Sequence, residues 1–227
     1  MNKTLVLYSG GLDSTVLLYK MVKEKGAENV IALDMYYGQK HKKELECAAY
    51  HCEKLGVKSM RTDLSNVYSI NKDASALLAE SSQEISKKSY AEQLSNDGKV
   101  NAYVPFRNGL FLSYATAVAE MLGCTEIAYG AHADDAAGNA YPDCSVSFVE
   151  SMRKAILLGT QSDIALLAPW INLTKSEVVK RGLDLGMSKE DFQHTWSCYE
   201  GQEFPCGHCG TCLDRRAAFV ANGLNLD

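Results

Sequence analysis

Two sets of residues in this sequence have the types and the spacing that chemistry requires. One is a loop near the amino terminus that contains two glycines, two serines and a carboxylate, in the order Ser9, Gly10, Gly11, Leu12, Asp13 and Ser14. The other is a group of closely spaced cysteines, Cys198, Cys206, Cys209 and Cys212. Glycine-containing turns can cradle phosphates, and cysteines two residues apart can turn toward one metal ion. The sequence therefore indicates a nucleotide site and a metal site.

The loop SGGLDS is expected to bind phosphate. It follows an apolar run, TLVLY, that predicts a buried strand, so its backbone N–H groups would lie at the N-terminus of the next helix and attract anions. Gly10 and Gly11 allow close approach of the backbone, and Ser9 and Ser14 add hydroxyl donors. The Walker and dinucleotide-binding glycine patterns are both absent from this loop, which indicates another type of nucleotide site. A tight turn with an ordinary aspartate cap is the alternative.

Asp13 would place a negative charge beside the expected phosphates. Such a carboxylate repels them unless a divalent cation lies between the two or the side chain caps the helix, and we therefore expect Mg²⁺. Lys175 and Arg107 each stand at the start of a predicted helix, where a cation can support phosphate binding. Each is equally compatible with an ordinary surface charge.

The cysteine group predicts a structural zinc site. Cys206, Cys209 and Cys212 are separated by two residues each, and Cys198 completes a set of four thiolates with no open position. An iron–sulfur cluster, His208 as a ligand and disulfide bonds are the alternatives that we favour less. The remaining cysteines are expected to be packing residues, with a place near the substrate as the alternative for the last of them: Cys47, Cys52, Cys124 and Cys144.

The order of elements predicts an α/β fold with a doubly wound parallel sheet, which is a Rossmann-like architecture. Short apolar runs alternate with helical patterns along most of the chain. Strands are predicted within 4–8, 29–38, 57–64, 124–132 and 166–171, and helices within 13–26, 41–55, 107–123, 145–160 and 174–186. The polar stretch 65–100 predicts a mobile insertion or lid near the site, and 134–144 predicts a loop. We expect one domain over 1–227, with a zinc-binding segment at 196–214.

Composition and charge exclude several classes of protein. The chain has 23 Lys plus Arg against 28 Asp plus Glu, a net charge of −5, and a pI near 5.6. Proteins that bind the phosphate backbone of nucleic acids need clustered cations, so we expect no nucleic-acid partner. No run approaches the ~20 apolar residues that span a bilayer, and the run after Lys3 is too short for a secretory signal. We therefore expect a cytoplasmic protein with no membrane contact.

SGGLDST after an amino-terminal strand resembles the pyrophosphatase loop, or PP-loop, of adenine nucleotide alpha-hydrolase-like enzymes. Together with YGQKH, VPFRNGLFLS, GNAYPDC, TKSE and SCYEGQEFPCGHCGTC, it resembles the 7-cyano-7-deazaguanine (preQ0) synthase family over nearly the full chain. The resemblance implies the ATP-dependent conversion of 7-carboxy-7-deazaguanine and ammonia into a nitrile for queuosine biosynthesis. It also implies a zinc ion held by the four cysteines, and a homodimer.

The chemistry that the resemblance implies has two adenylation steps. The first activates the carboxylate for attack by ammonia, and the second makes the amide oxygen a leaving group. Asp13, Lys175 and Arg107 would then be the catalytic residues, acting on the phosphates of ATP. Tyr141 could stack on the base and Asp143 could accept its N–H donors, with Asp134 or Asp135 as alternatives and a turn or cap role equally open for each Asp. Ammonia would be free or supplied by another protein.

Three features depart from the pattern of the family. Leu12 stands where many members have Gln, Phe106 stands where many have Gly, and the loop HADDAAGNAYPDC is longer than the common form. They could mark a subfamily with a different deazapurine product.

Two other functions are alternatives to the synthase. One is a PP-loop enzyme of the tRNA-thiolation type, against which the acidic pI argues. The other is a non-enzymatic zinc module, which would leave the glycine loop unexplained.

Overall fold

The computed structural model describes residues 2–226. Their sheet has five parallel strands in the order β3-β2-β1-β4-β5, with β1 in the centre. The strands are β1 (Lys3–Leu7), β2 (Val30–Tyr36), β3 (Lys58–Asp63), β4 (Cys124–Ala128) and β5 (Ala165–Leu167). The strand order reverses its direction at β1, so the predicted doubly wound α/β fold is confirmed.

Helices cover both faces of the sheet because the central strands are apolar on both sides. Leu5 and Leu7 of β1 belong to one core cluster, whereas Val6 belongs to the other. The first cluster includes side chains of α5 (Arg107–Leu122) and α7 (Val146–Gly159). The second includes side chains of α1 (Leu12–Lys25), α2 (Lys43–Leu55), α8 (Lys175–Asp184) and α10 (Gly210–Ala221). This alternation on successive residues is the pattern of a strand buried on both faces.

The stretch 65–100 is better packed than its polar composition suggested. It contains two short helices, α3 (Ser65–Tyr68) and α4 (Tyr90–Asp97), and a buried run from Ala76 to Leu78. The N–H of Lys40 donates to the carbonyl of Leu77 at 2.9 Å, which ties the run to the segment after β2. The sequence predicted a mobile insertion or lid here, whereas in the structure the segment contributes side chains to the core.

Three other local predictions differ from the structure. The predicted loop 134–144 includes most of a short helix, α6 (Ala133–Ala136), and two 3₁₀ turns. The last strand is only three residues long and ends before Pro169. Two helices near the carboxyl terminus were not predicted, α9 (Lys189–Gln193) and α10. Within residues 2–226, every helix is too short or too polar to cross a bilayer.

Candidate active site

The SGGLDS loop connects the central strand to α1 at the carboxyl edge of the sheet. Gly10 has φ +85°, and a Cβ atom there would lie 2.1 Å from the carbonyl oxygen of Glu44 in α2, so only glycine fits. Gly11 is the N-cap of α1 and offers no side-chain cap. The first N–H groups of the helix therefore remain available to a ligand, as anion binding requires.

Hydrogen bonds from two serine hydroxyls to the loop's own backbone stabilise its conformation. Ser9 Oγ accepts from the N–H of Gly11 at 3.1 Å, and Ser14 Oγ donates to the carbonyl of Gly11 at 3.2 Å. The side chain of Leu12 is fully buried in the core, so only its backbone can face a phosphate. The loop thus presents backbone donors and two hydroxyls toward the cavity that it lines.

Asp13 and Lys175 form an ion pair at this loop. Lys175 Nζ donates to Asp13 Oδ2 at 2.9 Å, and Lys175 is buried. It begins α8, whose N-terminus is fixed by a capping box between Thr174 and Glu177. Burial alone would lower the pKa of Lys175, but Asp13 and Asp135 hold that pKa above its usual value. Burial likewise opposes ionisation of Asp13, but Lys175 and His132 hold its pKa below the usual range. Both groups are charged at neutral pH.

A histidine and two further acidic residues lie near this ion pair. Nε2 of the buried His132 lies 3.6 Å from Asp13 Oδ2 and 3.3 Å from Asp135 Oδ2 without forming a hydrogen bond. Asp214 of α10 also lines the cavity, and burial raises its pKa. Asp13 Oδ1 is buried without a hydrogen-bond partner. Hard divalent cations prefer carboxylate oxygens as ligand atoms. Because Asp13 Oδ1 is such an oxygen and lies in the SGGLDS loop, called the phosphate loop below, the residues present fit Mg²⁺.

Arg107 lines the same cavity but lies among aromatic residues. Its Nη1 donates to the Tyr37 hydroxyl at 3.3 Å, and its guanidinium carbon lies 5.3 Å from the centre of the Tyr37 ring and 6.0 Å from that of Phe111. Its Nε is buried with no acceptor. Lys175 thus contacts the loop carboxylate directly, whereas Arg107 has a donor left for a ligand in the cavity.

Tyr141 and Asp143 have different positions relative to the cavity. Tyr141 lines it, with its hydroxyl 3.0 Å from that of Tyr199. Asp143 is buried outside the lining, where its Oδ2 accepts from the N–H of Asn108 at 2.9 Å in the first turn of α5. This contact gives Asp143 the cap role that was the alternative for it. Asp135 is the aspartate of this region that faces the cavity.

Several cavity residues were not identified from the sequence. Tyr90 of α4 brings the stretch 65–100 to the site, with its hydroxyl 2.7 Å from that of Tyr199. His41 ends the quoted YGQKH motif, Glu44 lies three residues after it, and both line the cavity. The position of 65–100 near the site is confirmed. No spacing signal could have found Tyr90, because its role depends on contacts between distant segments.

The four cysteines of the carboxyl-terminal region converge. Their sulfur atoms all lie within 4.8 Å of one another, the arrangement that a single metal ion requires. Two backbone N–H groups donate to these sulfurs, from Cys206 to Cys198 Sγ at 3.3 Å and from Cys209 to Cys206 Sγ at 3.4 Å. His208 is exposed and its Nδ1 contacts the carbonyl of Cys206, away from the sulfurs. The four cysteines therefore suffice for the site.

The other cysteines are free and buried, which agrees with their predicted packing role: Cys47, Cys52, Cys124 and Cys144. Cys144 also lines the cavity, where it accepts from Asn108 Nδ2 at 3.3 Å. Burial raises the pKa of its thiol well above the usual value. A protonated thiol is a poor nucleophile, which disfavours the thiolation-type alternative at this position.

The cysteine segment is attached to the SGGLDS loop. The N–H of Trp196 donates to the carbonyl of Gly10 at 3.1 Å, two residues before Cys198. Ser197 and Tyr199, on either side of Cys198, line the cavity, as does Thr211 next to Cys212. One cavity of about 230 Å³ thus adjoins the phosphate loop, the tyrosine hydroxyls and the cysteine segment.

This chain is similar to proteins named 7-cyano-7-deazaguanine synthase. A 7-cyano-7-deazaguanine synthase of Caldicellulosiruptor saccharolyticus is 42% identical over 222 residues, covering 98% of this chain and 92% of that protein. A 7-cyano-7-deazaguanine synthase of Archaeoglobus fulgidus is 38% identical over 223 residues, covering 98% of this chain and 87% of that protein. The similarity therefore extends over nearly the whole of both chains.

Two solved structures share the fold at low sequence identity. The U34-tRNA thiolase NcsA from Methanococcus maripaludis, solved with its [4Fe-4S] cluster, matches 98% of this chain with a TM-score of 0.52 and 16% identity. This chain spans 65% of that longer protein. The NMN synthetase from Francisella tularensis also has a TM-score of 0.52 and 16% identity, covering all of this chain and 79% of that one. At this identity the two structures support the PP-loop fold alone.

A family model described as queuosine biosynthesis protein QueC matches residues 3–223. The match includes the phosphate loop, the cavity walls and all four clustered cysteines. With relatives at 38% and 42% identity over 98% of the chain, the assignment does not depend on any single motif. The chain belongs to the QueC family of queuosine biosynthesis proteins.

Proposed function

We propose that the protein is an ATP-dependent ligase that converts 7-carboxy-7-deazaguanine and ammonia into 7-cyano-7-deazaguanine (preQ0). The observation that carries the proposal is the Asp13–Lys175 ion pair at the SGGLDS loop, at the edge of a cavity large enough to admit a planar base. The full-length similarity to proteins of that name supports the choice of substrate. The reaction belongs to queuosine biosynthesis.

In the first half of the reaction the carboxylate oxygen of the substrate attacks the α-phosphate of ATP, and pyrophosphate leaves. The backbone N–H groups after Gly10, with the hydroxyls of Ser9 and Ser14, hold the phosphates. Lys175, fixed by Asp13, places a positive charge where the negative charge of the leaving group develops. Ammonia then attacks the acyl adenylate, AMP leaves, and the amide forms.

The second half repeats the activation on the amide. Its oxygen attacks the α-phosphate of a second ATP, and pyrophosphate leaves. That oxygen then departs with AMP while the amide nitrogen gives up both of its protons to solvent, which leaves the nitrile. No covalent bond to the protein is needed, so its residues contribute orientation and charge. Arg107, with its free Nε, binds an oxygen of the substrate or of the phosphates, and Tyr141 contacts the base. Asp143 is proposed to support the base site by fixing the start of α5.

Two metal ions belong to the proposal. Mg²⁺ would be held by Asp13, whose Oδ1 is buried without a partner, and would neutralise charge on the phosphates. Zn²⁺ would be held by Cys198, Cys206, Cys209 and Cys212 as a closed structural site. The zinc would fix the segment that carries Tyr199 and Asp214 to the cavity wall.

The proposed partners are small molecules: the deazapurine carboxylate, ammonia and ATP. The charge of −5 supports a free base as substrate over a nucleic acid. We propose a cytoplasmic location, where all three are supplied. We also propose a homodimer, supported by the exposed apolar residues Leu157 and Leu158 of α7 and Met121 of α5. Light scattering of the purified protein tests the dimer, and a monomeric mass would contradict it.

The function is tested by incubating the protein with ATP, Mg²⁺, ammonium and 7-carboxy-7-deazaguanine. We expect release of pyrophosphate and AMP and appearance of the nitrile by mass spectrometry. ATP consumption should depend on the deazapurine. An absence of deazapurine-dependent ATP consumption would overturn the proposal.

A further inference from the structure

Glu44 is a cavity residue that the mechanism above does not use. It lies in the first turn of α2, and its backbone carbonyl packs directly against Gly10. Its Oε1 lies 3.5 Å from the position that a Cβ atom on Gly11 would occupy. The carboxyl group therefore lies beside the phosphate loop and lines the cavity.

Within residues 2–226 the carboxyl group of Glu44 has neither a hydrogen bond nor a Lys or Arg nitrogen within 4.0 Å. His41 Nδ1 lies 3.3 Å from Glu44 Oε2 without a hydrogen bond. Burial lowers the pKa of His41 to about 4, with Arg107 acting in the same direction and Cys209 in the opposite one, so the imidazole is neutral at pH 7. His41 therefore cannot serve as the missing cation.

Groups on other elements act on Glu44 only at longer range. Arg107 of α5 favours its ionisation, whereas Asp34 of β2 opposes it. Burial is the largest influence and raises the pKa of Glu44 to about 8. An unpaired carboxylate next to bound phosphates would be repelled by them. The group therefore needs a proton or a small cation when ATP is bound.

The hydrogen-bond acceptors on this wall of the cavity suit a cation that donates hydrogen bonds. A carboxylate and a neutral imidazole nitrogen are both acceptors, and their side chains face the cavity near the site of adenylation. Ammonium is the substrate of the proposed reaction that has no assigned site, and it offers only N–H donors. We propose that Glu44 binds the ammonium ion and removes one of its protons, so that ammonia is formed beside the acyl adenylate. This proposal rests on the proposed function.

The proton and electron balance of the step is complete. One proton moves from ammonium to the Glu44 carboxylate, and the nitrogen lone pair then forms a bond to the carbonyl carbon of the acyl adenylate. The bond from that carbon to the oxygen of AMP breaks, and AMP leaves with the electron pair. A second proton passes from the nitrogen to water, which gives the neutral amide. Glu44 releases its proton to solvent before the next turnover.

With a pKa of about 8, the carboxyl group of Glu44 is mostly protonated at pH 7 while the site is empty. The positive charge of a bound ammonium ion favours the carboxylate form, which is the base in this transfer. An exposed glutamate is far more acidic than ammonium, and it would hold the ion without deprotonating it. Burial brings the carboxyl group of Glu44 closer to the acidity of ammonium. Only the first half of the reaction uses ammonia, because the second half starts from the amide. The role of Glu44 is therefore separable from that of the phosphate loop.

The test compares the full-length protein with its Glu44→Gln variant, which keeps the size of the side chain but cannot accept the proton. Each receives ATP and Mg²⁺ with either 7-carboxy-7-deazaguanine plus ammonium or the corresponding 7-carboxamide. We expect nitrile formation from the acid to fall by about 100-fold or more, in the range of general-base catalysis. Nitrile formation from the amide should keep the wild-type rate. Alkaline pH should partly restore the first reaction, because free ammonia needs no base.

Glu46→Gln is the matched control, since Glu46 lies on the same helix with its side chain 75% exposed. It should leave both reactions unchanged. Equal losses from acid and amide in Glu44→Gln would mean that Glu44 supports the fold or the ATP site, and would overturn the ammonium site. Full activity of that variant from the acid at neutral pH would overturn it as well. If the wild-type protein forms no nitrile from either compound, the proposed function itself fails.

Discussion

Lys175 Nζ lies 2.9 Å from Asp13 Oδ2, although the two residues are 162 positions apart in the chain. The pair joins the first turns of α1 and α8 at the edge of the central strand. It holds the buried, positively charged amino group of Lys175 at the phosphate loop. A cation that is already in place costs no reorganisation when charge develops on a leaving phosphate.

Replacing Asp13→Asn should reduce turnover by about 100-fold or more while the protein stays folded, because the loss affects charge placement on the phosphates. Pyrophosphate release measures the turnover, and circular dichroism measures the fold. Asp184→Asn is the control, since Asp184 is an exposed residue of α8 paired with Arg181. Full activity of Asp13→Asn would remove Asp13 from the catalytic residues.

Tyr90→Phe should weaken binding of the deazapurine by about 10-fold with little effect on the KM for ATP, because one hydroxyl of a linked set of three is lost. Those hydroxyls belong to Tyr90, Tyr199 and Tyr141. Titration of 7-carboxy-7-deazaguanine measures the affinity. Tyr114→Phe is the matched control, since the Tyr114 hydroxyl bonds Thr62 outside the cavity. Equal effects of the two variants would count against a base site at the tyrosines.

Cys209→Ser should abolish metal binding and lower the melting temperature, because three remaining thiolates leave the tetrahedral site open. The wild-type protein should contain about one zinc per chain, as one four-thiolate site requires. Metal analysis by mass spectrometry gives both values. Cys124→Ala, at a buried cysteine outside the cluster, should keep the zinc. Iron with sulfide in the wild-type protein would disprove the zinc assignment.

Phe106→Gly should be more stable than Phe106→Ala by roughly 1 kcal/mol, because Phe106 has φ +50° in the left-handed region and only glycine adopts that region without a penalty. Both variants lose the aromatic ring, which is 58% exposed, so their difference isolates the backbone. Urea unfolding measures it. Equal stabilities would show that no strain is stored there.

Stability should fall as the pH decreases from about 6.5 toward 4, partly through His51. Burial lowers the pKa of this residue to about 4, whereas in the unfolded chain it is about 6.5. Between these values the unfolded chain binds a proton that the folded chain does not, so acid favours unfolding. His51→Gln, which can still donate to the carbonyl of His194, should flatten the dependence of the melting temperature on pH. Parallel profiles for the two proteins would contradict this role.

The features that are local in the chain could be predicted from the sequence. The strand, glycine turn and helix at SGGLDS depend on neighbouring residues, as does the capping box of Thr174 and Glu177. The cysteine set follows from its spacing, and the sulfurs do converge. In each case residue types and their order determine the structure within a few turns of chain.

Features that depend on contacts between distant segments could not be predicted. Tyr90 comes from a stretch with no recognisable pattern, yet its hydroxyl reaches Tyr199. Asp143 was expected either to bind the base or to act as a turn or cap residue, and only the structure shows that its Oδ2 accepts from the N–H of Asn108. Glu44 looked like one of several charges on α2 until the packing of its backbone against Gly10 fixed it at the loop. Neither periodicity nor composition contains that information.

The hydrogen bond from the N–H of Trp196 to the carbonyl of Gly10 joins the cysteine segment to the phosphate loop. Coupling between two binding sites is reciprocal: if metal loading raises the affinity for ATP by some factor, bound ATP must raise the affinity for the metal by the same factor. If the four cysteines hold zinc, the protein saturated with ATP would therefore keep that ion at a higher concentration of a competing chelator than the nucleotide-free protein would. Under the same condition, scarcity of zinc would empty the site least where ATP is abundant.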